Sequence, residues 1–220
     1  MALEMIPDRP GREVAFEPKL DRLLAIFCPD WVMPQIMEGE HQYHRCEVKR
    51  FKIGEAADAD PAATRQYADL LIHAAMHDQC RSGIRQLIQP LVEALGHRRI
   101  QMAIIDYVRT GSYAEKVGAT LAWYFARPGL RYGSMDDLRR GVPTEESKAA
   151  QGALADLRDD YREACLAAFL ACGDPGVRQD LSLGINLDPA AYPDHLQPSH
   201  QQAIYIIMAN PEHYRWVLQR

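Results

Sequence analysis

Apolar residues recur at helical spacing through most of the chain after Pro61, and this pattern predicts an all-α fold. Residues 62–80 contain no glycine or proline, so they are expected to form one long helix. Residues 97–109 and 112–127 each place apolar side chains at every third or fourth position. Two amphipathic helices are therefore expected on either side of Gly111.

Residues that end or cap helices divide this part of the chain into segments. Gly96 is a typical helix stop. Ser112 and Glu115 have the spacing of a capping box, in which each side chain accepts a hydrogen bond from the backbone N–H of the other residue. Pro90 is expected to break or kink a helix over residues 87–95.

The C-terminal third continues the helical pattern. Thr144 is expected to open a helix that continues to Cys172. Asp174 and Pro175 pair an N-cap with a proline at the first helical position, and the helix that they begin is expected to reach about Leu187. The remaining predicted elements are a linker over residues 189–198, a helix over residues 199–208 and a last turn from Pro211.

The N-terminal part of the chain has a different pattern, with prolines spread along it. Residues 1–62 are predicted to be an irregular arm or cap, with one short helix over residues 19–27. Residues 44–53 alternate loosely and predict a strand or an extended arm. Residues 63–220 are the predicted helical domain, and we expect the arm to form one structural unit with it.

The sequence GDPGVR at residues 173–178 resembles the turn between the two helices of a HEAT repeat, where the aspartate caps the second helix and the proline begins it. Residues 112–116 are a weaker copy, and the resemblance covers roughly residues 85–187. It implies an α-solenoid, a HEAT-like array of antiparallel helix pairs, and many proteins of this class bind other proteins along a concave surface. The resemblance brings no catalytic residue. A compact, irregular helical bundle with the same capped turns is the alternative.

Charge is distributed unevenly along the chain, whose formal net charge is −5. Residues 81–140 carry ten basic and five acidic side chains, whereas both flanking parts are acidic. This middle part predicts a basic surface for an acidic partner protein, unless its arginines are scattered over solvated helix faces. The candidate partner-binding residues are Arg98, Arg99, Arg127 and Arg131.

The start of the chain and the cysteines predict a cytoplasmic location. The first residues lack the apolar core of a signal peptide, and no apolar run is long enough to span a membrane. The five cysteines are odd in number and lack a disulfide framework, so we expect free thiols.

The segment LLIHAAMHDQC contains the strongest candidate metal ligands. His73, His77 and Cys80 are four and three residues apart, which places them on one helix face, and imidazole with thiolate suits zinc. A second group, made up of His41, His44 and Cys46, is a candidate source of a fourth ligand. The alternative is that the helix turns this face towards the core, with satisfied histidines and no metal. The sequence therefore predicts no cofactor, with zinc at His73, His77 and Cys80 as the alternative.

Motifs of nucleophilic catalysis and of nucleotide binding do not occur in the sequence. The sequence therefore favours a non-catalytic, protein-binding scaffold or regulator over a zinc-binding protein or zinc-dependent enzyme. A third hypothesis is a nucleic-acid binder similar to HEAT-like DNA glycosylases, with Trp123, Tyr124 and Asp106 in the basic middle part. The acidic overall charge argues against it, because nucleic-acid-binding domains are usually basic.

Overall fold

The computed structural model describes residues 12–35, 42–78 and 80–219, and side chains within α1 from Ala15 onwards. Every regular element in these ranges is helical, which confirms the predicted all-α class. No helix in these same ranges is both long and apolar enough to cross a bilayer. All five cysteines are free thiols, and three of them are buried.

From α2 to α11, consecutive helices are joined by connections of one to eight residues. They are α1 Arg12–Phe27, α2 Gln42–Ala59, α3 Pro61–Gln66, α4 Ala68–His77, α5 Arg85–Leu95, α6 His97–Thr110, α7 Tyr113–Ala126, α8 Met135–Arg140, α9 Glu145–Gly152, α10 Ala155–Ala171, α11 Pro175–Leu181, α12 Gln197–Ala209 and α13 Arg215–Leu218. Short 3-10 turns lie at Ser182–Gly184, Pro189–Ala191 and Asp194–Leu196.

The N-terminal part is more regular than its sequence predicts. Two long helices, α1 and α2, occupy most of its described residues, so the expectation of an irregular arm is wrong there. Residues 44–53 lie within α2, and their interpretation as a strand or extended arm is also wrong. The sequence of α2 does not show a clear helical period, because two of its buried positions hold the charged residues Lys49 and Arg50. A sequence pattern would assign such residues to the solvent-exposed face.

Charged side chains join α1 to α2. Glu17 accepts hydrogen bonds from Arg45 Nε and Nη2, both at 3.1 Å, and from Lys49 Nζ at 2.9 Å. Lys49 Nζ also contacts Asp21. The hydrogen bonds from Arg45, followed by those from Lys49, lower the pKa of Glu17 to about 2 against the opposing effect of burial.

The Glu17 contacts predict a defined acid sensitivity. Because the pKa of Glu17 is lower in the folded chain, its stabilising contribution is complete above about pH 4.5 and is lost as the pH falls towards 2. Wild-type protein is therefore expected to lose about 1 kcal/mol more unfolding free energy than Glu17→Gln when the pH falls from 4.5 to 2.5. The figure is modest because solvent screens the contacts of Glu17 with Arg45 and Lys49. Urea unfolding at pH 4.5 and pH 2.5 measures it, with exposed Glu146→Gln as the control. An equal loss in wild type and Glu17→Gln would contradict the assignment.

Three helix boundaries differ from those predicted. Residues 62–80 form α3 and α4 rather than one helix, because Tyr67 leaves helical geometry and its ring packs 6.0 Å from Phe27. Residues 144–172 are likewise divided, into α9 and α10. The helix after Pro175 ends at Leu181 instead of Leu187. Tertiary contacts of single side chains decide such breaks, and helical periodicity does not record them.

Capping signals in the sequence were more reliable. The Ser112–Glu115 capping box is present, and Asp174 accepts from the backbone N–H of Val177 as an N-cap. Gly96 ends α5 with a φ of 84°, a conformation that favours glycine. Pro90 lies inside α5 without interrupting it.

A close crossing of α4 and α7 lies within the core. A Cβ at Gly118 would overlap the carbonyl oxygen of Met76, so only glycine permits this approach of the two backbones. Both helices bury one side here, including Ala75 and Ala119. The crossing brings the first turns of α7 against the last turns of α4.

A buried polar network lies beside this core. Arg50 Nη1 donates to Asp78 Oδ1 and Oδ2 at 3.1 and 3.2 Å, and Arg50 Nε donates to Gln86 Oε1 at 3.1 Å. The backbone N–H of Cys80 also donates to Asp78 Oδ1, at 3.0 Å. Burial raises the pKa of Asp78 to about 6, and the charge of Arg50 opposes that rise. The network ties α2 to the end of α4 and the start of α5.

Candidate functional site

A cavity of about 740 Å³ lies between α6 and α7 on one side and α10 and residues 183–187 on the other. This volume falls within the range of small-molecule binding sites, about 300–1,000 Å³. Helix α7 supplies most of one wall through residues 120–125. Helix α10 supplies Arg158, Tyr161 and Arg162, which are three and four residues apart and so share one helix face.

The charged side chains that line this cavity, among the residues that the structure describes, are all basic. They are Arg81, Arg127, Arg158 and Arg162, and no aspartate or glutamate of the described ranges joins them. Arg162 donates to Asp159 at 3.0 Å, so its charge is partly balanced. Arg158 is exposed, and its guanidinium has no hydrogen bond or ion pair with any residue that the structure describes. The cavity therefore combines a positive potential with at least one guanidinium available to an anion.

Aromatic rings form much of the remaining wall. Trp123 and Tyr161 stack face to face, with centroids 4.0 Å apart and planes 3° from parallel. Tyr124 is 66% exposed, and the Arg127 guanidinium lies 5.1 Å from its ring centroid. The stacked pair fixes the wall rigidly, while the exposed ring of Tyr124 is accessible to a flat molecule.

Gln101 is the cavity residue with an unsatisfied polar atom. Its side chain is buried, and Nε2 donates to the carbonyl oxygen of Ala126 at 3.0 Å. Its Oε1 is buried without a hydrogen-bond partner among the described residues. An unpaired buried acceptor costs about 1–3 kcal/mol. Because Oε1 is covered, a bound molecule can donate to it only after the Gln101 side chain turns towards the cavity.

The four arginines selected from the sequence are not brought together at this cavity. Arg127 lines it, whereas the other three are absent from its lining. Arg98 is bound to Asp156 at 2.7 Å and to the carbonyl oxygen of Ala153 at 2.7 Å. The side chains of Arg99 and Arg131 are exposed. Their role in partner binding stays a prediction.

A second group of polar side chains lies where α4 meets α7. His73 Nε2 and His77 Nε2 lie 3.3 and 3.6 Å from the same atom, Glu115 Oε1. Donor atoms of the three residues lie within 4.8 Å of one another. The other carboxylate oxygen, Oε2, accepts from the backbone N–H and the hydroxyl of Ser112, each at 2.7 Å.

Protonation in this second group follows from its surroundings. Burial, followed by the charge of Lys19 and the proximity of His73, lowers the pKa of His77 to about 4, so the imidazole of His77 is neutral at pH 7. Burial raises the pKa of Glu115, but the two hydrogen bonds from Ser112 oppose this effect. The pKa of Glu115 is therefore below its usual value. The group thus presents a neutral imidazole beside an ionised carboxylate.

The other predicted metal ligands lie apart from this group. The Cys80 thiol is 3.6 Å from the Tyr43 hydroxyl and 3.7 Å from Ser82 Oγ, and it does not join His73 and His77. His44 is exposed beside Glu47, and Cys46 is buried. His41 lies outside the described residues.

Some residues of both sites could not be predicted from the sequence, because each has an ordinary local role that explains its presence. Glu115 reads as a capping-box residue, Arg158 as a solvated helix charge and Gln101 as a polar position on an amphipathic helix. Asp106, the acidic residue of the nucleic-acid hypothesis, is exposed on α6 and does not line the cavity.

Comparison with known proteins does not assign either site. No protein-family model, no curated protein sequence and no solved structure matches the chain.

Proposed function

We propose that this protein is a binding protein for a small organic anion with a flat, aromatic body, which occupies the cavity between α7 and α10. The observation that carries the proposal is that the described residues of the lining include four arginines and no acidic side chain. Guanidinium groups recognise carboxylates and phosphates by paired, charge-assisted hydrogen bonds. The same positive charge would repel a cation and would stay unpaired beside a neutral ligand.

The rest of the lining favours a ring in addition to an anionic group. The exposed face of Tyr124 offers a stacking surface beside the guanidinium of Arg127. When the Gln101 side chain turns towards the cavity, its unpaired Oε1 accepts a hydrogen bond from an N–H or O–H group of the bound molecule. A heterocycle with an amino group and an attached phosphate or carboxylate has all three complementary features.

Isothermal titration calorimetry with AMP, flavin mononucleotide and anthranilate tests the proposal. At least one of these is expected to bind with a Kd below about 1 mM, and adenosine more weakly than AMP because it lacks the anion. Failure of all three to bind would contradict the proposal.

Arg158 provides the matched variant test. Arg158→Ala is expected to weaken binding of the best probe by about 10–100-fold, the value of one hydrogen bond to a charged group. Arg139→Ala, on α8 outside the cavity, is the control and is expected to leave affinity unchanged. Equal losses in the two variants would indicate general electrostatic attraction rather than a site.

The protein-binding scaffold predicted from the sequence stays a proposal, together with its HEAT-like array and its cytoplasmic location. Supporting the array, α6 packs on α7 across the turn at Gly111, and α10 packs on α11 across the turn before Asp174. Hexaglutamate is the probe that distinguishes protein binding from small-anion binding. If hexaglutamate binds through Arg158 while the small anions do not bind, the cavity receives an acidic protein segment. Salt-sensitive binding of a DNA duplex alone would instead support the nucleic-acid hypothesis.

A further inference from the structure

Two imidazoles and one carboxylate converge at the crossing of α4 and α7, away from the cavity. We infer that His73, His77 and Glu115 form a binding site for a divalent transition-metal ion of the zinc class. Four-coordinate zinc binds nitrogen and oxygen ligands at about 2.0–2.2 Å, which places neighbouring ligand atoms roughly 3.4 Å apart. The distances from Glu115 Oε1 to the two Nε2 atoms, 3.3 and 3.6 Å, already match this spacing.

The chemistry of the donors selects the class of ion. Imidazole nitrogen suits zinc, copper, nickel and iron, whereas magnesium and calcium require mostly oxygen ligands. A set of two histidines and one glutamate is one of the recurring ligand sets of zinc. Because the histidines are four residues apart on one helix, their rings reach the same point without any change in the backbone.

Neighbouring groups hold the ligands in position. Ser112 binds Glu115 Oε2 through its backbone N–H and its hydroxyl, so the carboxylate cannot rotate and Oε1 stays directed at the histidines. The ring of Tyr107 lies alongside His73, with planes 17° apart and centroids separated by 6.5 Å. Such outer contacts commonly contribute a factor of about 10–100 to metal affinity.

The exposure of the ligands fits an ion that enters from solvent. His77 and Glu115 are mostly covered, with 12% and 17% of their side chains exposed, whereas His73 is 42% exposed. Three protein ligands leave a fourth position for water, which the open side beside His73 supplies. Glu115 thus takes the place that was predicted for Cys80.

A cobalt titration of the full-length, chelator-treated protein tests this inference. Co²⁺ is the probe because its visible absorption reports inner-sphere nitrogen and oxygen ligands at low coordination number, and Zn²⁺ is then used to displace it. We expect one equivalent of Co²⁺ to bind. His73→Ala and Glu115→Gln are each expected to weaken binding at least about tenfold, the lower end of what outer-sphere changes alone cause.

The variants are chosen so that the protein keeps its fold. Glu115→Gln retains an oxygen for Ser112 and therefore the helix cap, and alanine is favourable at the partly exposed position 73. His195→Ala removes an exposed histidine elsewhere and is expected to leave Co²⁺ binding unchanged. Circular dichroism confirms the fold of each variant.

Two outcomes would overturn the inference. One is the absence of saturable Co²⁺ and Zn²⁺ binding by the wild-type protein. The other is stoichiometric binding whose affinity is the same in wild type, His73→Ala and Glu115→Gln. Since none of the three ligands lines the cavity, either result leaves the proposed anion-binding function untouched.

Discussion

Arg50→Met is expected to lower the free energy of unfolding by about 3–5 kcal/mol, because it leaves Asp78 buried without its counter-ion. The side chains of Arg50 and Asp78 are 3% and 1% exposed, so water does not replace the lost contacts. The acceptor on Gln86 loses its partner as well. Methionine fills much of the space of the arginine stem, so the loss reports the charge and hydrogen bonds rather than a cavity.

A double variant separates the ion pair from its surroundings. Replacing Asp78 with leucine in the Arg50→Met background removes the stranded carboxylate and is expected to recover part of the lost stability. Arg85→Met is the matched control, since Arg85 is exposed and its hydrogen bond to Gln89 lies on the surface. Urea unfolding at pH 7 measures all of these variants. A loss below about 1 kcal/mol for Arg50→Met, the value of a surface pair, would contradict burial of the network.

Gly118→Ala is expected to lower the free energy of unfolding by about 2–3 kcal/mol, the usual cost of overpacking a well-packed core. The added Cβ meets the backbone of Met76, which is part of α4 and cannot move aside as a flexible side chain would. The two helices must separate, and Glu115, one turn before Gly118, then moves away from His73 and His77. The same change is therefore expected to weaken Co²⁺ binding.

A second glycine in the chain provides the control for Gly118. A Cβ at Gly152, in α9, meets no atom within 4 Å. Gly152→Ala is therefore expected to stabilise the protein by up to about 1 kcal/mol, the ordinary helical preference for alanine. If Gly118→Ala behaved like Gly152→Ala in thermal and urea unfolding, the close crossing of α4 and α7 would be wrong.

Features that depend on one turn of chain could be predicted from the sequence. Ser112 caps α7 and Asp174 caps α11 through contacts within three residues, so their patterns were sufficient. Helix α2 was missed because it buries Lys49 and Arg50, whose partners Glu17 and Asp78 lie about thirty residues away. No local pattern records such pairings.

The sites show the same division between local and tertiary information. The sequence indicated that His73 and His77 share a helix face, which the structure confirms. It could not indicate that Glu115 joins them, since that depends on the crossing at Gly118. The arginines of α10 likewise line a cavity only because α7 and residues 183–187 form its other walls.

Nuclear magnetic resonance of ¹⁵N-labelled protein tests the central claim, that the cavity between α7 and α10 binds a small aromatic anion. AMP, flavin mononucleotide and anthranilate are added in turn, and backbone and side-chain amide shifts are followed. We expect saturable shifts for at least one ligand, concentrated in residues 120–127 and 183–187 and in the side-chain amide of Gln101. Absence of saturable shifts with all three, or shifts that leave these residues and Gln101 unchanged, would contradict it.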